Sequence, residues 1–279
     1  MPAFRFAPSP NGRLHLGHAY SALLNERAAR TSGGRFLIRV EDIDTVRCTR
    51  ALARAALDDL AWLGLRSDDP VLYQSDHFAD YQAAQDRLRS ANLLYPCFCS
   101  RHDVAALADP GKHDPEGQPV YPGTCKKLTS EERIERLCAG LSCAWRIDMP
   151  RAVENLARPL VYVETMSGAP LEQDALVEAW GDVVIVRKDI GTSYHLAVVV
   201  DDARQGISHV IRGRDLRQAT AIHRLLQELL GLPQPIYRHH DLIGDETGRK
   251  LSKSAGDRSL AMLRQQGVTP KQIRKELGF

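Results

Sequence analysis

The 279-residue chain has no apolar run of the roughly 18 residues that a bilayer crossing needs. It opens on Met1-Pro2-Ala3-Phe4-Arg5-Phe6, without the basic and apolar stretches of a secretory leader. No membrane partner is expected, and the cytoplasm is the expected location. An excess of either charge is also missing: 37 Lys and Arg against 35 Asp and Glu leave +2. Any nucleic acid must therefore meet a local basic face rather than a global field. There is no internal repeat and no low-complexity tract. With 43% apolar and 26% charged residues the composition is that of an ordinary globular chain, long enough for one large domain or two modest ones. Six cysteines give no sign of a disulfide framework. Cys48, Cys138 and Cys143 read as buried small apolar side chains, whereas Cys97, Cys99 and Cys125 gather around one Pro/Gly-rich stretch and point to a metal.

What is present is an alternation of strands and helices. A strand at Phe4–Ala7 runs into Pro8-Ser9-Pro10-Asn11-Gly12, and a helix follows from about Leu14 to Gly33-Gly34. A strand at Phe36–Val40, an amphipathic helix at Arg50–Leu63, a strand at Val71–Tyr73 and a helix around Tyr81–Leu93 continue the pattern, which predicts a parallel α/β sheet. From about Tyr95 the texture changes. Asp109–Gly123 holds four prolines and three glycines, and strand-like pieces at Ala144–Asp148, Leu160–Thr165 and Val183–Arg187 lack matching helices, as in an α+β insert. Alternation then resumes from Tyr194, and Thr269-Pro270 opens a last helix. The expected division is 1–94 and 186–256 as two halves of one catalytic domain, 95–185 as the insert, and 257–279 as a short helical tail.

Two motifs carry chemistry. In His15-Leu16-Gly17-His18 a tight turn opens a helix whose first turn presents two imidazoles on one face, where free N–H groups and the helix dipole favour anions. In Lys250-Leu251-Ser252-Lys253-Ser254 two lysines frame a serine after a glycine-containing stretch, a cationic clamp suited to charge developing at a phosphoryl centre. Alone, each reads as readily as a surface feature. Together, in this order, they resemble the signatures of the class I aminoacyl-tRNA synthetases. Arg5-Phe6-Ala7-Pro8-Ser9-Pro10, Arg39-Val40-Glu41-Asp42-Ile43-Asp44-Thr45, Tyr194-His195-Leu196-Ala197 and Val210-Ile211-Arg212-Gly213 resemble the glutamyl and glutaminyl branch. Asn11 departs from that pattern, which commonly has threonine there.

The resemblance implies a Rossmann-like catalytic domain with a parallel sheet, interrupted by an α+β zinc-bearing insert. It implies ATP bound with Mg²⁺ at Pro8, Gly12, His15, Gly17, His18 and Lys253, with His15, His18, Lys250 and Lys253 as catalytic residues. L-glutamate is expected at Arg5, Ala7, Ser9, Glu41, Tyr194 and Arg212. Physically this set suits a dicarboxylic amino acid: arginines for carboxylates, Glu41 for the ammonium, and neutral donors between. Three thiolates, Cys97, Cys99 and Cys125, need a fourth donor for tetrahedral Zn²⁺, and His102 and His113 are candidates. The Cys-x-Cys…Tyr-x-x-x-Cys pattern of related short synthetases implies Tyr121 instead.

Twenty-five residues follow Ser254, too few for an anticodon-binding domain. This resembles the short glutamyl-Q tRNA(Asp) synthetase subfamily, paralogues of glutamyl-tRNA synthetase that glutamylate queuosine in the anticodon loop of tRNA(Asp). The expected enzyme is a monomeric ligase that activates glutamate without RNA. Its RNA contacts are expected at the insert and at Arg101, Lys112, Lys126 and Lys127. The alternatives are a core charging tRNA(Glu) with a separate chain, and a non-catalytic RNA-binding paralogue.

Overall fold

The structure, a computed structural model, describes residues 1–166, 168–244 and 259–279. From the N-terminus β1 (Ala3–Phe6), α1 (Leu16–Thr31), β2 (Arg35–Val40), α2 (Arg50–Trp62), β3 (Leu72–Tyr73) and α3 (Phe78–Ser90) alternate as the sequence predicts. Thr49 caps α2 through its side chain, and Gly64, at φ +81°, takes the left-handed conformation that ends it. β4 (Leu94–Cys97), α4 (Arg101–Leu107), α5 (Ser130–Cys138), β5 (Ala144–Ile147) and α6 (Met149–Glu154) follow. The capping box read at Thr129 and Glu132 opens α5. β6 (Val161–Met166), β7 (Ala169–Asp174), β8 (Val184–Val186), α7 (Tyr194–Arg204), β9 (His209–Gly213), α8 (Thr220–Leu229) and β10 (Ile236–His240) lead to the tail helices α9 (Leu260–Gln265) and α10 (Pro270–Glu276).

Seven strands form one sheet in the order β3-β2-β1-β9-β10-β6-β7, and every neighbouring pair is parallel except β6–β7. β4, β5 and β8 form a separate antiparallel sheet. The texture of residues 95–185 groups the β6–β7 hairpin with the insert. In the structure that hairpin extends the large sheet, with Tyr237 of β10 in register with Glu164. The strand-like piece at Leu160–Thr165 is β6, but its alternation does not show which sheet it joins.

Strand alternation sorts the core. Phe4, Phe6, Phe36 and Ile38 face a cluster with Leu23, Leu60 and Leu63, which the tail completes through Leu260, Leu263 and Ile273. Ala3 and Leu37 face the opposite cluster, with Val198, Ile222 and Tyr237. Arg5 and Arg39 share the parity of Ala3 and Leu37, so two arginines are driven into that second layer. The order of the sheet reverses between β1 and β9. This is where an open α/β sheet leaves a crevice at the carboxyl ends of its strands.

Candidate active site

A cleft of about 880 Å³ opens at that crossover. Its walls include Arg5, Ala7, Pro8 and Ser9 from the end of β1, Glu41 after β2, Tyr194 at the start of α7 and Arg212 near the end of β9. His15, Gly17 and His18 line the same cleft, so all six residues expected at glutamate and most of those expected at ATP share one space. Gly12 is not among the lining residues. Lys250 and Lys253 lie outside the described residues.

His15 is the N-cap of α1: its Nδ1 accepts the Gly17 N–H at 3.2 Å, while His18 Nδ1 accepts the His15 N–H at 3.2 Å. The two rings lie 3.9 Å apart. With both Nδ1 atoms accepting, the neutral rings carry their protons on Nε2, the donors suited to phosphate oxygens. A Cβ at position 17 would sit 3.1 Å from His15 Cε1, so glycine there makes room for the capping imidazole.

Behind the cleft lies a buried charge network. Arg5 Nε donates to Asp202 Oδ1 at 3.0 Å. Arg39, fully buried, donates to the same oxygen at 2.7 Å, to Gln205 at 3.1 Å and to Glu41 Oε1 at 3.2 Å. Burial pushes the Asp202 carboxyl up, but Arg5 and Arg39 together hold it below the usual carboxylate range. Glu41 moves the other way: burial outweighs Arg39 and Arg5 and raises it. Arg5 therefore faces the cleft with its charge already shared with Asp202, and Arg39 holds Glu41. Arg212 differs. Its nitrogens donate to Tyr194, His223, His239 and Thr220, and among the described residues no carboxylate pairs with it.

Sequence reasoning named Arg5, Glu41, Tyr194 and Arg212 but missed Arg39, Asp202, His223 and His239. Arg39 carried a readable signal, a lone charge inside the apolar strand Phe36–Val40.

The cysteines form a second centre, away from the cleft. The Sγ atoms of Cys97, Cys99 and Cys125 lie within 4.8 Å of one another, a group that could hold a metal ion. Tyr121 is buried with them, its OH 3.7 Å from Cys99 Sγ and accepting the Cys125 N–H at 2.7 Å. Burial pushes the Cys99 thiol up to about 11. At Cys125 burial is outweighed by the Tyr121 hydroxyl and the Phe98 N–H, which hold the thiol below its usual value. The donor set thus fits a soft, structural cation. His102 and His113 are exposed and stand outside this metal-ligand group. Of the basic residues expected at RNA, Lys126 pairs with Asp148 (2.7 Å) and Asp182 (3.1 Å), while Arg101 and Lys127 are exposed. No helix among the described residues is long and apolar enough to cross a membrane.

Residues 3–278 match the family described as tRNA synthetases class I (E and Q), catalytic domain. The chain is 44% identical over 278 residues to a glutamyl-Q tRNA(Asp) synthetase of Rhodobacter capsulatus, covering 99% of both chains. It is 40% identical over 284 residues to one of Symbiobacterium thermophilum, covering 99% of this chain and 85% of the relative. Among solved structures, the glutamate-tRNA synthetase of Elizabethkingia anophelis superposes with a TM-score of 0.74 at 28% identity, over 91% of this chain and 53% of that one. This chain therefore spans about half the length of that larger synthetase. With its mostly parallel sheet, its crossover cleft and its His15–His18 turn, the chain belongs to the class I tRNA synthetases of the E and Q type.

Proposed function

We propose that this chain activates L-glutamate with ATP, in the cytoplasm, and transfers it to queuosine in the anticodon loop of tRNA(Asp). The observation that carries the reading is the single cleft that brings the helix-capping histidines together with Arg212, a buried cation without an acidic partner among the described residues. The acceptor is suggested by the relatives named glutamyl-Q tRNA(Asp) synthetase, which align across almost all of this chain.

In the first step a glutamate carboxylate oxygen attacks the α-phosphorus of ATP. The bond to the bridging oxygen breaks, and glutamyl-adenylate and pyrophosphate form. His15 and His18 donate to phosphate oxygens, and positioning with electrostatic stabilisation supplies the catalysis. Mg²⁺ bound with ATP would offset phosphate charge. In the second step a hydroxyl of the queuosine cyclopentenediol attacks the acyl carbon, AMP leaves, and an ester forms. In the insert, Cys97, Cys99 and Cys125 with Tyr121 would hold Zn²⁺ in a closed, structural role.

The test has two stages. Glutamate-dependent exchange of pyrophosphate into ATP should proceed without RNA. Labelled glutamate should then pass to queuosine-containing tRNA(Asp), and not to unmodified tRNA(Asp) or tRNA(Glu). Transfer to tRNA(Glu) alone would overturn the acceptor, and absence of exchange would overturn the activation step.

A further inference from the structure

Arg212 is 5% exposed, and among the described residues every side chain that hydrogen-bonds its guanidinium is uncharged at neutral pH, Glu116 feeling its charge without such a bond. Nε donates to His239 Nε2 at 3.3 Å, Nη1 to Tyr194 OH at 3.3 Å and to His223 Nδ1 at 3.1 Å, and Nη2 to Thr220 Oγ1 at 2.8 Å. A guanidinium only donates, so the two imidazole nitrogens it meets must be lone pairs. This fixes both tautomers. His223 carries its proton on Nε2 and donates to His195 Nδ1 at 3.2 Å. His239 carries its proton on Nδ1 and donates to Glu164 Oε1 at 2.7 Å. The other oxygen of Glu164 is held by Arg217 at 3.0 Å. The acid of this network is thus one imidazole ring removed from Arg212, and it is already paired.

Burial, reinforced by Arg212, lowers His195 and His239 to about 4 and His223 well below its ordinary value, and Arg5 adds to the shift at His223. Only at His239 does an acid, Glu164, oppose the shift. The contrast with the neighbouring arginines is direct. Arg5 and Arg39 converge on Asp202, and Arg39 also holds Glu41, whereas Arg212 is held by acceptors alone.

We infer that His223 and His239 are positioning residues that reserve the charge of Arg212 for a carboxylate of the substrate, and so set the preference for glutamate over its neutral amide. This rests on reading the cleft as a glutamate site. A carboxylate at either position would hold the guanidinium as firmly, but it would neutralise the guanidinium before the substrate arrived. A buried cation without a counter-ion is costly, and an incoming carboxylate relieves that cost where an amide relieves little of it.

The experiment compares His223→Asp with His223→Asn, and His239→Asp with His239→Asn. Within each pair size is matched and charge is not. The Asp variant should have a KM for glutamate at least about tenfold above that of its Asn partner, with KM for ATP differing by less than about threefold. The preference for glutamate over glutamine should fall with it. The histidines lie on α8 and β10, so melting temperatures identify a variant that unfolds and the other position still decides. Asp and Asn variants with equal glutamate KM, or an equal loss toward ATP, would overturn the inference. Calorimetry on the wild-type protein separates the two levels. If it binds no glutamate, the functional reading falls and this inference with it; if it binds while Asp and Asn variants behave alike, only the inference falls.

Discussion

Asp59 and Asp202 are both carboxylates buried in helices, and their surroundings drive them in opposite directions. Asp202 of α7 meets two arginines. Asp59 of α2 has an Oδ2 without a hydrogen-bond partner among the described residues, and burial raises it to about 6 despite the charges of Arg13 and Arg264. An acid raised on folding costs stability when both states are ionised, above pH 6, and costs nothing when both are protonated, below the unfolded value of about 3.9. Asp59→Asn should therefore raise the melting temperature at pH 7.5 by about 2–4 °C, a gain of roughly 1 kcal/mol, and the gain should fade by pH 4. Calorimetric melts at the two pH values check this. Asp202 has the opposite sign: its depressed value gives stability above the ordinary carboxylate range that is lost as acid titrates it. The residues that touch the cleft were legible because they sit in short motifs whose residue types match the ligand. Asp202 was not, because its partners Arg5 and Arg39 are 197 and 163 positions away and only the folded sheet brings them together.

At the scale of elements, most of the alternation was readable because each signal was local. Thr49, Thr129, Ser193 and Thr269 each cap a helix through the side chain. The β6–β7 hairpin was not readable, because joining β10 requires a long-range pairing that alternation does not encode. β4 and the short helical turn Thr124–Lys127 bring the cysteines together, and Tyr95 packs in the same small cluster. That cluster has few apolar residues, which makes a bound cation its natural source of rigidity. Purified protein should carry about one zinc per chain, and Cys125→Ser should lose most of it and melt at lower temperature. Atomic absorption with parallel melting curves reads both. Undiminished zinc would remove Cys125 from the ligand set. Tyr121→Phe, lacking the phenolic oxygen, should hold the metal more weakly.

At the scale of the whole molecule, the tail is part of the catalytic core. Leu260 and Ile273 are fully buried among residues of β1, α1 and α2, and Arg274 donates to the Leu63 carbonyl at 3.0 Å. Ile273→Ala should cost about 2–5 kcal/mol, visible in urea unfolding as a lower midpoint with an unchanged slope. The position of α9 matters beyond stability. Leu242 and Ile243, which follow β10, line the cleft with His15 and His18. At the far side of residues 245–258, Ser259 forms a bridge with His15, and the Leu260 N–H donates to the Leu14 carbonyl at 2.8 Å. The apolar contacts of Leu260, Leu263 and Ile273 therefore brace the turn that opens α1 as well as the core, so a loosened tail would be felt in the cleft through the backbone of Leu14 and His15.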